Sequence, residues 1–137
     1  MENCEDSCCG NAPRRTVSDL FDRGYRRNRK PALAIEGAEL RDLNGLLARF
    51  SLDVDGGFIQ AVNFRATTCI TLIAYSELIA ELTIGQSVHE AAELSPAELV
   101  ETLPDVPLLK RDRALLAVKA FRAALKAVPI SKTGEAA

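Results

Sequence analysis

Apolar and polar positions alternate along the chain with two periods, and the changes of period mark out its elements. Phe50, Leu52 and Val54 alternate with Arg49, Ser51 and Asp53; further on, Val62, Phe64 and Ala66 alternate with Asn63 and Arg65. A period of two predicts two strands, each apolar on one face and polar on the other. Asp55-Gly56-Gly57 between them predicts a tight hairpin, because glycine accepts the positive φ that such turns need. One-sided strands of this kind suit an antiparallel sheet covered by helices.

Thr67-Thr68-Cys69 then leads into ITLIAYSELIAEL, which is apolar nearly all the way round. This predicts a central helix, capped by one of the two threonines and ended by Gly85. Ser87-Val88-His89-Glu90 and Ser95-Pro96-Ala97-Glu98 are capping boxes, opening short helices near 88–94 and 96–103. Beyond Pro104 and Pro107, Asp112 is placed to cap a last helix to Val128, with an inner stripe of Ala114, Val118, Phe121, Leu125 and Val128. Upstream, Ser18-Asp19-Leu20-Phe21 opens a helix towards Arg27 with Leu20, Phe21 and Tyr25 inward, and Pro31 closes that segment. Residues 32–45 predict a loop with one edge strand. The sum is an α+β fold, a small antiparallel sheet with helices packed on one face. Residues 14–128 would form the domain, between a cysteine-containing tail at 1–13 and a C-terminal tail at 129–137.

Composition agrees with a single domain and narrows the chemistry. At 137 residues, 47% hydrophobic and 26% charged, the chain can bury a core without a metal or disulfide staple. A net charge of -2 gives no reason to expect nucleic acid. The most apolar stretch, residues 69–80, is interrupted by Thr, Tyr, Ser and Glu, so no membrane span is expected. MENCEDSCCGNAPRR is polar and lacks the apolar core of a secretory signal. A cytoplasmic, reducing setting follows, where thiol or metal chemistry is the live question for Cys4, Cys8, Cys9 and Cys69. Arg14, Arg15, Arg23, Arg26, Arg27, Arg29 and Lys30 form a basic stretch, either a solvated helix face or a dock for an acidic partner.

Cys69 stands out by position. A thiol at a helix N-terminus meets unpaired backbone N–H groups and the positive end of the macrodipole, both of which favour the thiolate. The same place also suits a small core residue. His89, the only histidine, lies within a capping box and reads as solvated or packed. Asp53 and Asp55 flank a hairpin, where aspartate is ordinary. No catalytic triad, phosphate-binding glycine loop or paired-carboxylate site is legible, which argues against an ordinary metabolic enzyme.

From about Leu43 to Ala127 the chain resembles the NifU/IscU family of iron–sulfur cluster assembly scaffolds. The carrying words are V-D-G-G-F-I-Q-A-V-N-F-R, the helix opened by Cys69 with Ser76 and Glu77, the segment from Gly85 to Ala91, and Leu116 to Leu125. The resemblance implies a [2Fe–2S] cluster or iron held by three cysteines with an aspartate and a histidine, thiolates being soft ligands for iron. Position by position, Cys69 is the middle cysteine. Asn44, in Asn44-Gly45-Leu46, stands where the first cysteine and its aspartate would be; Arg113 stands at the third and Asp112 at the histidine. Leu108-Leu109-Lys110 after Pro107 occupies the family's chaperone-recognition loop.

Three readings follow. Cys69 carries a persulfide or part of a cluster, with Asp112 assisting and further ligands from Cys4, Cys8, Cys9 or a second protomer. Alternatively, it is a lone sulfur acceptor, as in SufE-type proteins, binding no cofactor. In the third, the fold serves as a cluster-free interaction module. In the first two a cysteine desulfurase or another assembly protein is the implied partner, met through residues 14–30.

Overall fold

The computed structural model describes residues 15–129; Cys4, Cys8, Cys9, Arg14 and residues 130–137 of the C-terminal tail lie outside them. The elements in chain order are α1 (Val17–Arg27), β1 (Ile35–Glu36), β2 (Leu40–Arg41), β3 (Leu47–Asp55), β4 (Phe58–Ala66), α2 (Ile70–Thr83), α3 (Val88–Ala92), α4 (Pro96–Thr102), a 3-10 turn (Leu108–Lys110) and α5 (Arg113–Lys126). This is the α+β architecture expected from the patterning.

β3 is the centre of an antiparallel sheet, with β4 on one side and β1 and β2 in succession on the other. Residues 32–45 therefore hold two short strands where one was expected. Register follows from burial: Phe50 faces Phe64 and Leu52 faces Val62 across the ladder, and all four are buried. A one-residue slip would turn this apolar set to solvent. The hairpin closes through Gly56 and Gly57 at φ 61° and 85°, the paired positive values of a two-residue turn matched to strand twist.

α2 and α5 pack side by side on the apolar face of the sheet. The α5 stripe is Ala114, Val118, Phe121 and Leu125, all buried as its spacing predicts, and Val128, buried too, lies just past the helix, which ends at Lys126. Alanines between them let the helix come close: a Cβ on Gly37, beside β1, would lie 2.4 Å from the Ala124 backbone nitrogen. Both capping boxes form, at Ser87 with Glu90 and at Ser95 with Glu98.

Three local expectations are corrected. Neither threonine caps α2; Cys69 is its N-cap and makes no side-chain cap bond. Thr67 is used elsewhere, its Oγ1 accepting from the Leu47 N–H at 2.8 Å while its own N–H donates to the Leu47 carbonyl. Asp112 precedes α5 but makes no cap bond, since its backbone is already helical (φ -65°, ψ -19°) where a side-chain cap needs an extended residue. Tyr25 does not point inward; it is 43% exposed, with the Arg29 guanidinium over its ring. Gly24 takes the inner place with Leu20, because α1 crosses α2 where a Cβ would lie 2.7 Å from Ile73 Cγ2.

α1 also closes the outer edge of β4. Asn28 accepts from the Ala66 N–H and donates to the Ala66 carbonyl, and Arg27 Nη1 donates to the Val62 carbonyl. At the other end Ile59 N–H donates to Gln86 O, and Gly85 N–H to Ile59 O. Such cover removes the exposed edge that would otherwise template strand addition.

Candidate functional site

Loops from three parts of the fold meet the start of α2. The paired bonds between Leu47 and Thr67 tie the approach to Cys69 onto the first residue of β3. Just upstream, Asp42 Oδ1 accepts from the Asn44 and Leu46 N–H groups, both at 2.9 Å, and Gly45 turns at φ 82°. The third contribution is the step into α5. Arg111 braces it by donating to the Val106 and Pro104 carbonyls, and Asp112 and Arg113 follow.

Cys69 is half-buried, with a free thiol. The Arg113 guanidinium donates to the Asp112 carboxylate at 2.6 Å and lies near enough to Cys69 to feel its charge. Both partners hold Arg113 above the ordinary arginine value, Asp112 most strongly, against the opposing effect of burial. Arg113 Nε is buried without a hydrogen-bond partner. Asp112 is more than half exposed, at 58% of its side chain. It lines a cleft of about 480 Å³ together with Asn44, Leu43, Leu115 and Lys119. Of the residues singled out in the sequence, Cys69, Asp112 and Arg113 are thus brought together, and Asn44 lines the same cleft as Asp112.

The donor set decides what this end of the molecule can hold. Among the described residues no three His, Cys, Asp or Glu side chains are grouped to hold a metal ion. One thiolate and one carboxylate fall short of the four donors that two tetrahedral irons require beyond their bridging sulfides. Arg113 has no lone pair to offer; it supplies positive charge beside the sulfur instead. The exposed His89 sits on α3 and brings no ligand to Cys69.

The sequence left the basic stretch at 14–30 as either a solvated helix face or a dock for an acidic partner. In the structure Arg23 and Arg27 turn inward to Glu81 and Glu77, at 2.6 and 2.7 Å. Arg15, Arg26, Arg29 and Lys30 remain exposed. The signal available was Gly24 between the two arginines, spaced to face carboxylates four apart on α2. Missed altogether was the contact between Arg113 and Cys69, which no local motif announces.

Beneath the site, the Tyr75 hydroxyl and Ser76 Oγ are buried without hydrogen-bond partners. Burial raises the Tyr75 hydroxyl above its usual value; nearby Arg111 opposes the shift, while Asp105 and Asp112 add to it. Tyr75→Phe is therefore expected to leave thermal stability unchanged or raise it by up to about 1 kcal/mol, since an unpaired buried hydroxyl costs desolvation. A loss of more than about 1 kcal/mol on chemical denaturation would show that the hydroxyl has a partner.

Comparison with known proteins bears on the fold. The family model for the NifU-like N-terminal domain matches residues 33–134. The iron–sulfur cluster assembly scaffold protein IscU of Haemophilus influenzae is 34% identical over 71 residues, covering 52% of this chain and 56% of its own. The chain thus spans about half the length of that curated relative. A crystal structure of a putative iron–sulfur cluster assembly scaffold protein for the SUF system from Fervidobacterium islandicum superposes with a TM-score of 0.61 at 20% identity, over 80% of this chain and 93% of that one. A second, of a hypothetical protein, gives 0.55 at 20% identity, over 78% and 97%. These two likenesses show the fold. Among the described residues no helix is long and apolar enough to cross a membrane. By the family match, which covers most of its length, the chain belongs to the NifU-like N-terminal domain family.

Proposed function

We propose that the protein works in iron–sulfur cluster assembly as a scaffold-like protein, with Cys69 the thiol that takes sulfur or iron. The observation that carries this reading is the placement of Cys69 at the α2 N-terminus beside Arg113 and Asp112, in a fold of this family. The protein is a carrier in this reading and turns over no substrate. Iron or a nascent [2Fe–2S] cluster would be cargo, with Cys69 and Asp112 as donors. Because these two are too few, further thiolates must come from Cys4, Cys8 or Cys9, or from a second protomer.

The guanidinium at Cys69 favours a second reading, sulfur acceptance. The Cys69 thiolate attacks the outer sulfur of a donor persulfide, the donor's S–S bond breaks, and the electron pair leaves on the donor thiolate. Cys69 then carries the persulfide, and no oxidant or reductant is consumed. A cysteine desulfurase is the class of donor this requires, in a reducing compartment such as the cytoplasm.

The test is anaerobic reconstitution with ferrous iron and sulfide, followed by desalting, beside Cys69→Ser. Retained iron and charge-transfer absorption are expected for the wild type and not for the variant. A colourless wild-type protein would sink the scaffold reading. Sulfur transfer would then stand or fall on whether a desulfurase adds one sulfur to Cys69, read by intact mass.

A further inference from the structure

The face of the sheet turned away from α2 and α5 carries an arrangement that the Cys69 site does not use. Arg49 and Arg65 are directly opposite one another in the β3–β4 ladder, on the same side as Ser51 and Asn63. Like charges at opposed positions destabilise a strand pair. Neither arginine forms an ion pair within 4.0 Å of a carboxylate among the described residues, whose ion pairs lie elsewhere. Each gives one hydrogen bond to a backbone carbonyl, Arg49 Nε to Gly37 O at 3.0 Å and Arg65 Nη2 to Lys30 O at 3.2 Å. Those bonds orient the guanidiniums and leave their remaining N–H groups without a partner within the described protein.

The two arginines line a concavity of about 260 Å³ with Lys30, Glu36 and Glu39. Its floor is ordered: Ser51 and Asn63 are buried, and they hold the 31–33 segment against the sheet through Leu33 N–H to Ser51 Oγ and Asn63 Nδ2 to Pro31 O, each at 2.9 Å. A cupped surface with three cations and idle donors is suited to a compact anion, which takes bidentate bonds from arginine. Glu36 and Glu39 on the same rim repel a long polyanion, so the fit is to a small molecule with one anionic head and a neutral or cationic remainder. The small volume agrees, being below that of ordinary ligand pockets.

We infer that this face is a binding site for a small ligand bearing a phosphate or carboxylate group, held by Arg49, Arg65 and Lys30. The inference is independent of what Cys69 carries.

The experiment is amide NMR on the full chain, titrated at low salt with inorganic phosphate and separately with acetate, each against chloride at equal ionic strength. Saturable shifts centred on 49–51 and 63–65 are expected, and the stronger of the two anions identifies the head group. Arg65→Gln and Lys30→Gln should each weaken the response about tenfold, as the loss of one charge-assisted bond requires, while Lys126→Gln leaves it unchanged. Should one variant unfold, the other still decides. Arg65→Gln should also melt no lower than the wild type in anion-free buffer, because it removes the opposed charge. Shifts that match the chloride control, or that persist in both variants, would overturn the site. So would binding of poly-glutamate but neither small anion.

Discussion

Arg27→Ala is expected to destabilise the fold by about 3 kcal/mol near neutral pH, the low end for breaking a buried ion pair. Arg27 holds Glu77 through Nε at 2.7 Å and Nη2 at 3.2 Å, and Glu77 is only 1% exposed. The same guanidinium covers the Val62 carbonyl on the open edge of β4, so the substitution also uncovers a strand. Protonation of Glu77 limits the loss. Burial, with the hydrogen bond that the protonated Glu77 gives to Glu81, raises its carboxyl from 4.5 to about 7 even with Arg27 in place. Glu81 moves the other way; burial pushes it up, but the bond from Arg23 and then that from Glu77 bring it below its ordinary value.

The sign of the pH dependence follows. Between 4.5 and about 7 the folded Glu77 binds more proton than the unfolded one, so stability falls as pH rises through that window. Its contribution is fully present below 4.5, and the full shift corresponds to roughly 3 kcal/mol. Glu81 acts only at the acid end, where its contribution is lost as pH drops through its lowered value. Thermal melts from pH 5 to 8 should show the decline in the wild type and lose most of it in Glu77→Gln. Arg27→Ala should cost less at pH 5 than at pH 8. A flat profile in the wild type, or an equal cost at both ends, would remove the buried carboxylate as its origin.

Phe121→Ala carries the other large effect, an expected loss of about 3–5 kcal/mol. Phe121 is fully buried on α5, and its ring meets Phe50 edge-on with centroids 5.5 Å apart; Phe50 in turn lies 5.6 Å from Phe64 across the ladder. This chain of three rings joins the helix layer to both central strands, so truncation at Phe121 opens a cavity at the junction. Phe121→Leu keeps most of the volume and should cost about 1.5 kcal/mol or less. Denaturant midpoints for the pair separate the two outcomes. A cost for the alanine variant no greater than for the leucine one would mean that the layers can collapse around the gap, and that the aromatic contacts add little.

Sequence alone determined most of what depends on near neighbours. Strand alternation at 49–54 and 62–66, the Gly56-Gly57 turn, both capping boxes and the α5 stripe each follow from residues within a few positions, because period and turn chemistry are local. The order of short family words carried the kinship, and Cys69 was legible as a helix-opening thiol. Tertiary structure alone decided the rest. Thr67 and Asp112 are good caps by type, yet a strand N–H took the first and a helical backbone kept the second from capping. The arginines of α1 look solvated in sequence. Two of them are partly buried against Glu77 and Glu81 because Gly24 lets the helices touch. Likewise Arg49 and Arg65 are ordinary outer-face residues until register sets them opposite each other, and Arg113 reaches Cys69 only because α5 begins beside α2. Charge that is distant in sequence meets only when packing brings it together, so these sites were fixed by the fold and not by any segment of it.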